Sequence, residues 1–175
     1  MSTSTLQLDP APGFTPEIGK LVAMLEDTRQ RTKRYVDGLT AGQLAWHPND
    51  RVESIGTILL HIAAVEHSYI QEDIMRRPMG EEWKIAFPLR FGIPQITGKE
   101  LDYFINQLDS VREDTKSVLK TLTDSDLHRI ITPLDPGEPQ NTQIEFSIEY
   151  ILYHLVGHEA HHRGQIAVQK RLLPL

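Results

Sequence analysis

The sequence predicts an all-α protein that folds as a four-helix bundle. Its 175 residues suit one compact domain. Four long segments repeat apolar residues every three or four positions, as amphipathic helices do, and no segment alternates apolar and polar residues convincingly enough to predict a strand. We expect residues 1–14 to form a flexible tail rich in Ser, Thr and Pro, and residues 15–175 to form the single domain.

The first two helices are bounded by ordinary start and stop signals. Thr15 followed by Pro16 marks the start of the first helix, and Gly38 marks its end. After a connector, the second helix begins near Ser54 and closes at Pro78. The apolar spacing predicts a rod of roughly 23 residues, which is about 35 Å long at the rise of an α-helix.

The second half of the chain predicts a packed loop and two further helices. Segment 79–96 contains prolines and glycines that break helices, but its large aromatic residues predict a loop packed on the bundle. Segment 97–100 has the pattern of a capping box at the start of the third helix. A short turn at 124–127 precedes the fourth helix, which begins near Ser147 and runs to about Leu173. The aromatic residues of the loop are Trp83, Phe87 and Phe91.

Composition and charge exclude several classes of partner. The chain has 18 Lys and Arg against 24 Asp and Glu, a net charge of −6 with no basic block, so we expect no nucleic-acid partner. Segment 58–65, the most apolar, is too short to cross a membrane. The first ten residues lack the features of a secretory signal, which predicts a cytoplasmic protein. The absence of cysteine excludes disulfides, thiolate ligands and a nucleophilic thiol of the chain itself.

Eight histidines are the most informative feature of the composition. At 100° per residue, His158 and His162 lie inside the apolar stripe of the fourth helix, and His154 and His161 lie at its margin. Burying an imidazole without a partner costs about 1–3 kcal/mol per unsatisfied group. Two histidines on successive turns of a core face therefore need a compensating partner, and a metal ion is one candidate.

A third histidine on the second helix completes a possible metal site. His158 and His162 stand at positions i and i+4, and His61 lies on the apolar face of the second helix. Three neutral imidazoles leave open positions on Zn²⁺, Ni²⁺ or Fe²⁺, as a catalytic site requires. The alternative is that these are hydrogen-bonded core histidines without a metal. The remaining histidines are expected at the surface: His47, His67 and His128.

Segment 158–162 also fits the pattern of a zinc peptidase, in which Glu159 would activate water between two zinc-binding histidines. Such peptidases take a third ligand from downstream, whereas residues 163–175 contain no His, Asp or Glu. Peptidase activity is therefore disfavoured. A broader metal-dependent hydrolase with Glu159 as its base stays open.

Two segments resemble the DinB superfamily, which includes YfiT-like proteins and thiol-dependent S-transferases. They are Ser54-Ile55-Gly56-Thr57-Ile58-Leu59-Leu60-His61 and His154-x-x-x-His158-x-x-His161-His162-Arg163-Gly164-Gln165. The resemblance covers residues 15–173. It implies an up-down-down-up bundle in which His61, His158 and His162 hold one divalent metal ion, the same three residues that the helical wheel selects.

The resemblance also implies a reaction. Family members with assigned activities use a low-molecular-weight thiol such as bacillithiol, mycothiol or glutathione, and many form homodimers. We therefore expect a homodimeric S-transferase in which the metal ion, Zn, Ni or Fe, activates an external thiol toward a small-molecule electrophile. The alternatives are the metal-dependent hydrolase and a non-catalytic metal-binding stress-response module. Residues expected to line the pocket or support the ligands are His154, Glu159, His161, Arg163 and Gln165.

Overall fold

The structure, a computed structural model, describes residues 7–134 and 144–174 and is an all-α four-helix bundle, as predicted. Its α-helices are α1 (Pro16–Val36), α2 (Ala41–Ala45), α3 (Ile55–His67), α4 (Pro88–Phe91), α5 (Leu101–Leu119) and α6 (Ile148–Leu172). The long helices α1, α3, α5 and α6 form the bundle. A π-helix covers Ser68–Ile74, and 3₁₀ helices cover Glu81–Ala86 and Asp124–His128.

Contacts along the helices give the directions of the bundle. α1 and α6 run parallel, α3 and α5 run parallel, and α3 runs antiparallel to α6. This is the up-down-down-up order that the resemblance implies. The contacts that show it are Arg29–Glu159 and Tyr35–Lys170 for α1 with α6, Gly56–Phe104 and Glu66–Arg112 for α3 with α5, and Glu53–Gln169 and His61–His158 for α3 with α6.

The helix starts follow the predicted signals with one exception. The Ser54 hydroxyl accepts from the Thr57 amide, and the Ser147 hydroxyl accepts from the Tyr150 amide, so both helices begin next to the predicted residues and each serine is an N-cap. The capping box predicted at 97–100 is wrong, because α5 begins only at Leu101. Gly98 adopts a left-handed conformation with φ +66°, which turns the chain between Thr97 and the helix.

The second bundle helix differs most from its prediction. α3 ends at His67, and the chain continues as a π-helix to Ile74 in place of α-helix. Arg76 then takes a left-handed φ of +57°, and its guanidinium donates to the Thr132 carbonyl at 2.8 Å. Wide helical turns of this kind are often found at functional sites.

Two short strands, β1 (Ile130–Ile131) and β2 (Phe146–Ser147), pair antiparallel ahead of α6 and were not predicted. Two residues a strand are too few to show an alternating pattern. Residues 1–6 of the predicted tail lie outside the described residues; further along, the Ala11 amide donates to the Gly19 carbonyl at 2.9 Å. Within the described ranges, no helix combines the length and apolar composition needed to span a membrane.

Candidate metal centre

Three histidines from two helices converge at one point. His61 comes from α3, and His158 and His162 come from successive turns of α6. The Nε2 atom of His158 lies 3.3 Å from Nε2 of His61 and 3.1 Å from Nε2 of His162. One ring nitrogen from each residue lies within 4.8 Å of the other two. The structure thus brings together the three residues that the sequence singled out.

The spacing of these nitrogens fits a metal ion. A zinc–nitrogen bond of about 2.0–2.1 Å places neighbouring ligands roughly 3.3–3.4 Å apart in a tetrahedron and about 2.8–3.0 Å apart in an octahedron. The two observed separations, 3.1 and 3.3 Å, fall between these limits. A set of imidazoles suits Zn²⁺, Ni²⁺ and Fe²⁺. The donor atoms therefore match the predicted ion in type, and two of the three nitrogen pairs match it in spacing, while the third pair, His61 and His162, lies within 4.8 Å.

The environment keeps the three rings neutral, which is the form that binds metals. Burial, together with the charge of the neighbouring His162, lowers the pKa of His61 to about 4. Burial, followed by the charges of the other histidines, lowers the pKa of His158 to about 3. Burial also lowers the pKa of His162. At neutral pH all three rings therefore carry lone pairs that a cation can accept.

A hydrogen bond behind the ligands orients the His162 ring. His162 Nδ1 lies 2.7 Å from Gln165 Oε1 and donates to it, which leaves its Nε2 lone pair facing the cluster. The Gln165 amide nitrogen in turn lies 3.2 Å from Nε2 of the exposed His161. His61 Nδ1 is buried without a hydrogen bond of normal geometry, although the Ala86 backbone lies near enough to raise its pKa slightly.

A cavity of about 500 Å³ opens beside the histidines, with His61 and His158 in its wall. The Phe87 ring stands edge-on to His61, with the ring centres 5.1 Å apart. His154 also lines this cavity, and burial lowers its pKa. The aromatic residues of the wall are Tyr69, Trp83, Phe87, Phe91 and Phe146, which include all three aromatic residues of the predicted loop.

The π-helix supplies a wall of the cavity that sequence reasoning missed. Ser68, Tyr69, Glu72 and Asp73 all come from it. The Ser68 hydroxyl donates to Glu72 Oε2 at 3.0 Å. Apolar spacing over seven residues does not distinguish a π-helix from an α-helix, so the sequence did not predict that this segment lines the cavity.

Glu159 does not face the cavity. Its side chain is 2 % exposed, and Oε1 accepts from Arg29 Nε at 3.0 Å. Oε2 lies 3.5 Å from an Arg112 nitrogen. The helical wheel contained the signal, because Glu159 stands 100° from His158, close to the core positions of Ile148 and Ile166. The expected role of Glu159 as a base or pocket residue thus conflicts with its place among arginines.

Other predicted residues lie farther from the centre. Arg163 donates to the Thr28 carbonyl at 3.4 Å and so links α6 to α1. Of the histidines expected at the surface, His128 is exposed and His47 is half-buried. His67 is also half-buried and stacks on Trp83 at 4.8 Å, because the 3₁₀ segment folds over that side of α3.

Comparison with known proteins identifies the family. The model of the DinB superfamily matches residues 24–166, so this chain belongs to the DinB superfamily, as predicted. No curated protein matches the chain significantly.

Solved structures share the fold at low sequence identity. A DinB-like protein from Bacillus cereus is 19% identical, with a TM-score of 0.63 over 86% of this chain and 90% of its own. YfiT from Bacillus subtilis is 20% identical, with a TM-score of 0.62 over 93% and 91%, and is described as a probable metal-dependent hydrolase with an unusual four-helix bundle topology. A conserved protein from Enterococcus faecalis is 13% identical, with a TM-score of 0.64 over 87% and 94%.

Proposed function

We propose that His61, His158 and His162 hold one divalent metal ion, Zn, Ni or Fe, and that this ion serves a thiol S-transferase reaction. The observation that carries the proposal is the convergence of three imidazole nitrogens at the wall of an aromatic cavity. When bound, such an ion supplies positive charge that lowers the pKa of an external thiol, which is about 8.5 when unperturbed.

The chain itself favours an external thiol as the nucleophile. It contains no cysteine, so the sulfur must come from a co-substrate such as bacillithiol, mycothiol or glutathione. In the reaction the thiol loses its proton to solvent, a sulfur–carbon bond forms, and the leaving group of the electrophile departs with its electron pair. Trp83 and Phe87 offer apolar surface for the electrophile and exclude water from the side of His61.

A metal-dependent hydrolase is the second candidate. It is favoured by the description of YfiT, whose fold this chain shares. A hydrolase needs a base for water, and among the described residues no carboxylate belongs to the three-histidine cluster. Glu159, the base that the sequence offered, is bonded to Arg29 and lies in the core. Glu72 and Asp73 line the same cavity, so its wall still offers carboxylates, and the thiol dependence of turnover distinguishes transfer from hydrolysis.

Metal content tests the site. Protein purified without an affinity tag should carry close to one equivalent of divalent metal, and His158→Ala should lose most of it. His128→Ala is the control, because His128 is an exposed histidine at the end of the 3₁₀ helix Asp124–His128, and this variant should keep the metal. Equal metal content in the wild type and His158→Ala would refute coordination by this cluster.

Turnover tests the reaction. An aromatic electrophile such as chlorodinitrobenzene is incubated with the metal-loaded protein, with and without each of the three thiols. We expect the electrophile to be consumed above the background rate only when thiol is present, and His158→Ala to abolish this consumption. Consumption of ester or amide substrates without thiol would favour the hydrolase. If neither occurs and metal removal lowers the melting temperature by many degrees, the non-catalytic metal-binding module gains support.

The homodimer is part of the proposal. It has its support in the resemblance of residues 15–173 to a family with many homodimeric members. Light scattering of the purified protein tests it, with an expected mass twice that of the 20.0 kDa chain. A mass of one chain over a range of concentrations would refute it.

A further inference from the structure

We propose that a buried network of Arg29, Glu66, Arg112 and Glu159 sets the position of the metal ligands by fixing α3 against α6. This inference rests on the proposed metal site. The network lies outside the cavity and contacts neither the predicted metal nor a substrate. Its four members are therefore positioning residues rather than catalytic ones.

Each bundle helix contributes one member of this charge network. Arg29 comes from α1, Glu66 from α3, Arg112 from α5 and Glu159 from α6, and none is more than 3% exposed. Arg29 donates to Glu66 at 2.7 Å and to Glu159 at 3.0 Å. Arg112 donates to Glu66 at 2.7 and 3.0 Å and lies 3.5 Å from Glu159. Arg112 also lies 3.5 Å from the partly exposed Glu26 of α1, and the four buried members of the network carry two positive and two negative charges.

The charge network separates the two apolar clusters of the core. On α1, Leu25 belongs to one cluster and Val36 to the other, and Arg29 lies between them. On α6, Leu155 and Ile166 likewise belong to different clusters, with Glu159 between them. The two clusters come in the opposite order along the other two helices: Val111 and Val118 flank Arg112 on α5, and Ala64 of α3 and Ile70 of the following π-helix flank Glu66. Together the four side chains form a single polar layer across the bundle.

This layer adjoins the histidines. Glu159 directly follows His158 on α6, and Glu66 follows His61 by five residues on α3. Arg29 bonds both carboxylates at once, so it links the helix that carries one ligand to the helix that carries the other two. A shift of α6 along α3 would break these bonds.

Stability alone does not account for a buried network of this kind. Replacing buried ion pairs by apolar residues of similar size is often neutral or stabilising. Apolar side chains also pack in more than one register, whereas charged hydrogen bonds demand a particular direction and length. A metal site needs its ligands held within about 0.5 Å of the productive geometry. The charge network supplies that constraint between α3 and α6.

The test replaces one arginine and one glutamate of the network together, so that the buried net charge stays the same, and then measures Co²⁺ binding. The double variant R29M/E159L removes the links that the charge network makes from α6 to α1 and α3, and it leaves Glu66 and Arg112 bonded to each other. We expect Co²⁺ affinity to fall at least tenfold and the visible d–d spectrum of the bound Co²⁺ to change. The melting temperature of the metal-free protein should stay within a few degrees of the wild type.

Two further variants make the result decisive. R29M/E66L changes no residue next to a histidine ligand, so it should show the same loss and decides the question if R29M/E159L does not fold. K33Q/D109N is the matched control, because this ion pair joins α1 to α5, which carry no ligand. It should leave Co²⁺ affinity and spectrum unchanged.

Three results would overturn the positioning role of the charge network. Wild-type Co²⁺ affinity and spectrum in both pair variants would overturn the positioning role and leave the metal site intact. A loss of affinity as large in K33Q/D109N would overturn it too, since any loosening of the bundle would then weaken binding. Absence of Co²⁺ binding by the wild type would overturn the proposed site itself, and this inference with it.

Discussion

Replacing Arg112 by Met leaves the interior with one uncompensated charge. Arg112 makes two bonds to Glu66, and without it Glu66 and Glu159 share Arg29 alone. Removing one partner of a buried pair costs about 3–5 kcal/mol. In a domain of this size, each kcal/mol lowers the melting temperature by about 2–4 °C. We therefore expect Arg112→Met to melt roughly 6–20 °C below the wild type at pH 7.

The pH dependence of this loss identifies its cause. Burial by itself raises the pKa of Glu66, but the charges of Arg112 and Arg29 outweigh burial and lower it to about 2. Because this pKa lies below its ordinary value of 4.5, the stabilisation is present above pH 4.5 and is lost as the pH falls toward 2. In Arg112→Met, Glu66 takes up a proton at a higher pH than in the wild type. The difference in free energy of unfolding between the two proteins should therefore become smaller between pH 7 and pH 4.5.

Urea denaturation followed by circular dichroism measures both effects. A loss smaller than about 1 kcal/mol at pH 7 would refute the reasoning, because such a value is typical of an exposed ion pair. A gap that does not narrow on acidification would also refute it, since the loss would then come from packing and not from charge. The double variant R112M/E66L should recover most of the stability, because it removes both charges.

Three further predictions follow from the site and from the glycines. The pKa values of His61 and His158 lie below 6.5, so the free energy of unfolding of the metal-free protein should be highest above pH 6.5 and should fall as the pH drops toward 4. The contribution of His61 to this fall is on the order of 3 kcal/mol, and urea denaturation across that pH range measures it. Gln165→Leu should weaken metal binding about 10- to 100-fold in a Co²⁺ titration, because His162 loses the acceptor that orients it. Gly56→Ala should cost about 1–3 kcal/mol in thermal melts, because its Cβ would meet the Phe104 ring at 2.7 Å, whereas Gly157→Ala, with nothing within 4 Å, should gain about 0.5–1 kcal/mol.

The sequence predicted the bundle and the histidine cluster because both depend on helical periodicity. His158 and His162 share a face at i and i+4, and this relation holds wherever the helix is continuous. Ser147 marked the start of α6 because a side-chain cap is a local signal. His61 needed more than local information, since its place opposite α6 depends on how the helices pack.

The charge network escaped prediction because the helices were assigned from the spacing of their apolar residues, which does not show where charged residues pack. Arg29 follows Leu25 by four residues and precedes Thr32 by three, so it occupies a core position of α1. Its burial is only tolerable because Glu66 and Glu159 face it from other helices. A partner on another element cannot be read from one segment, although the helical wheel of α6 by itself places Glu159 near the core positions of Ile148 and Ile166.

The parallel order of α3 and α5 requires a long connection between them. Because α3 and α5 are parallel, the chain between them must run back along the length of the bundle, and residues 75–100 form this connection. This connection contributes Trp83, Phe87 and Phe91 to the wall of the cavity beside the histidines. Substitutions in this one connection can therefore change the wall of the cavity, while the four helices and the three histidines stay in place.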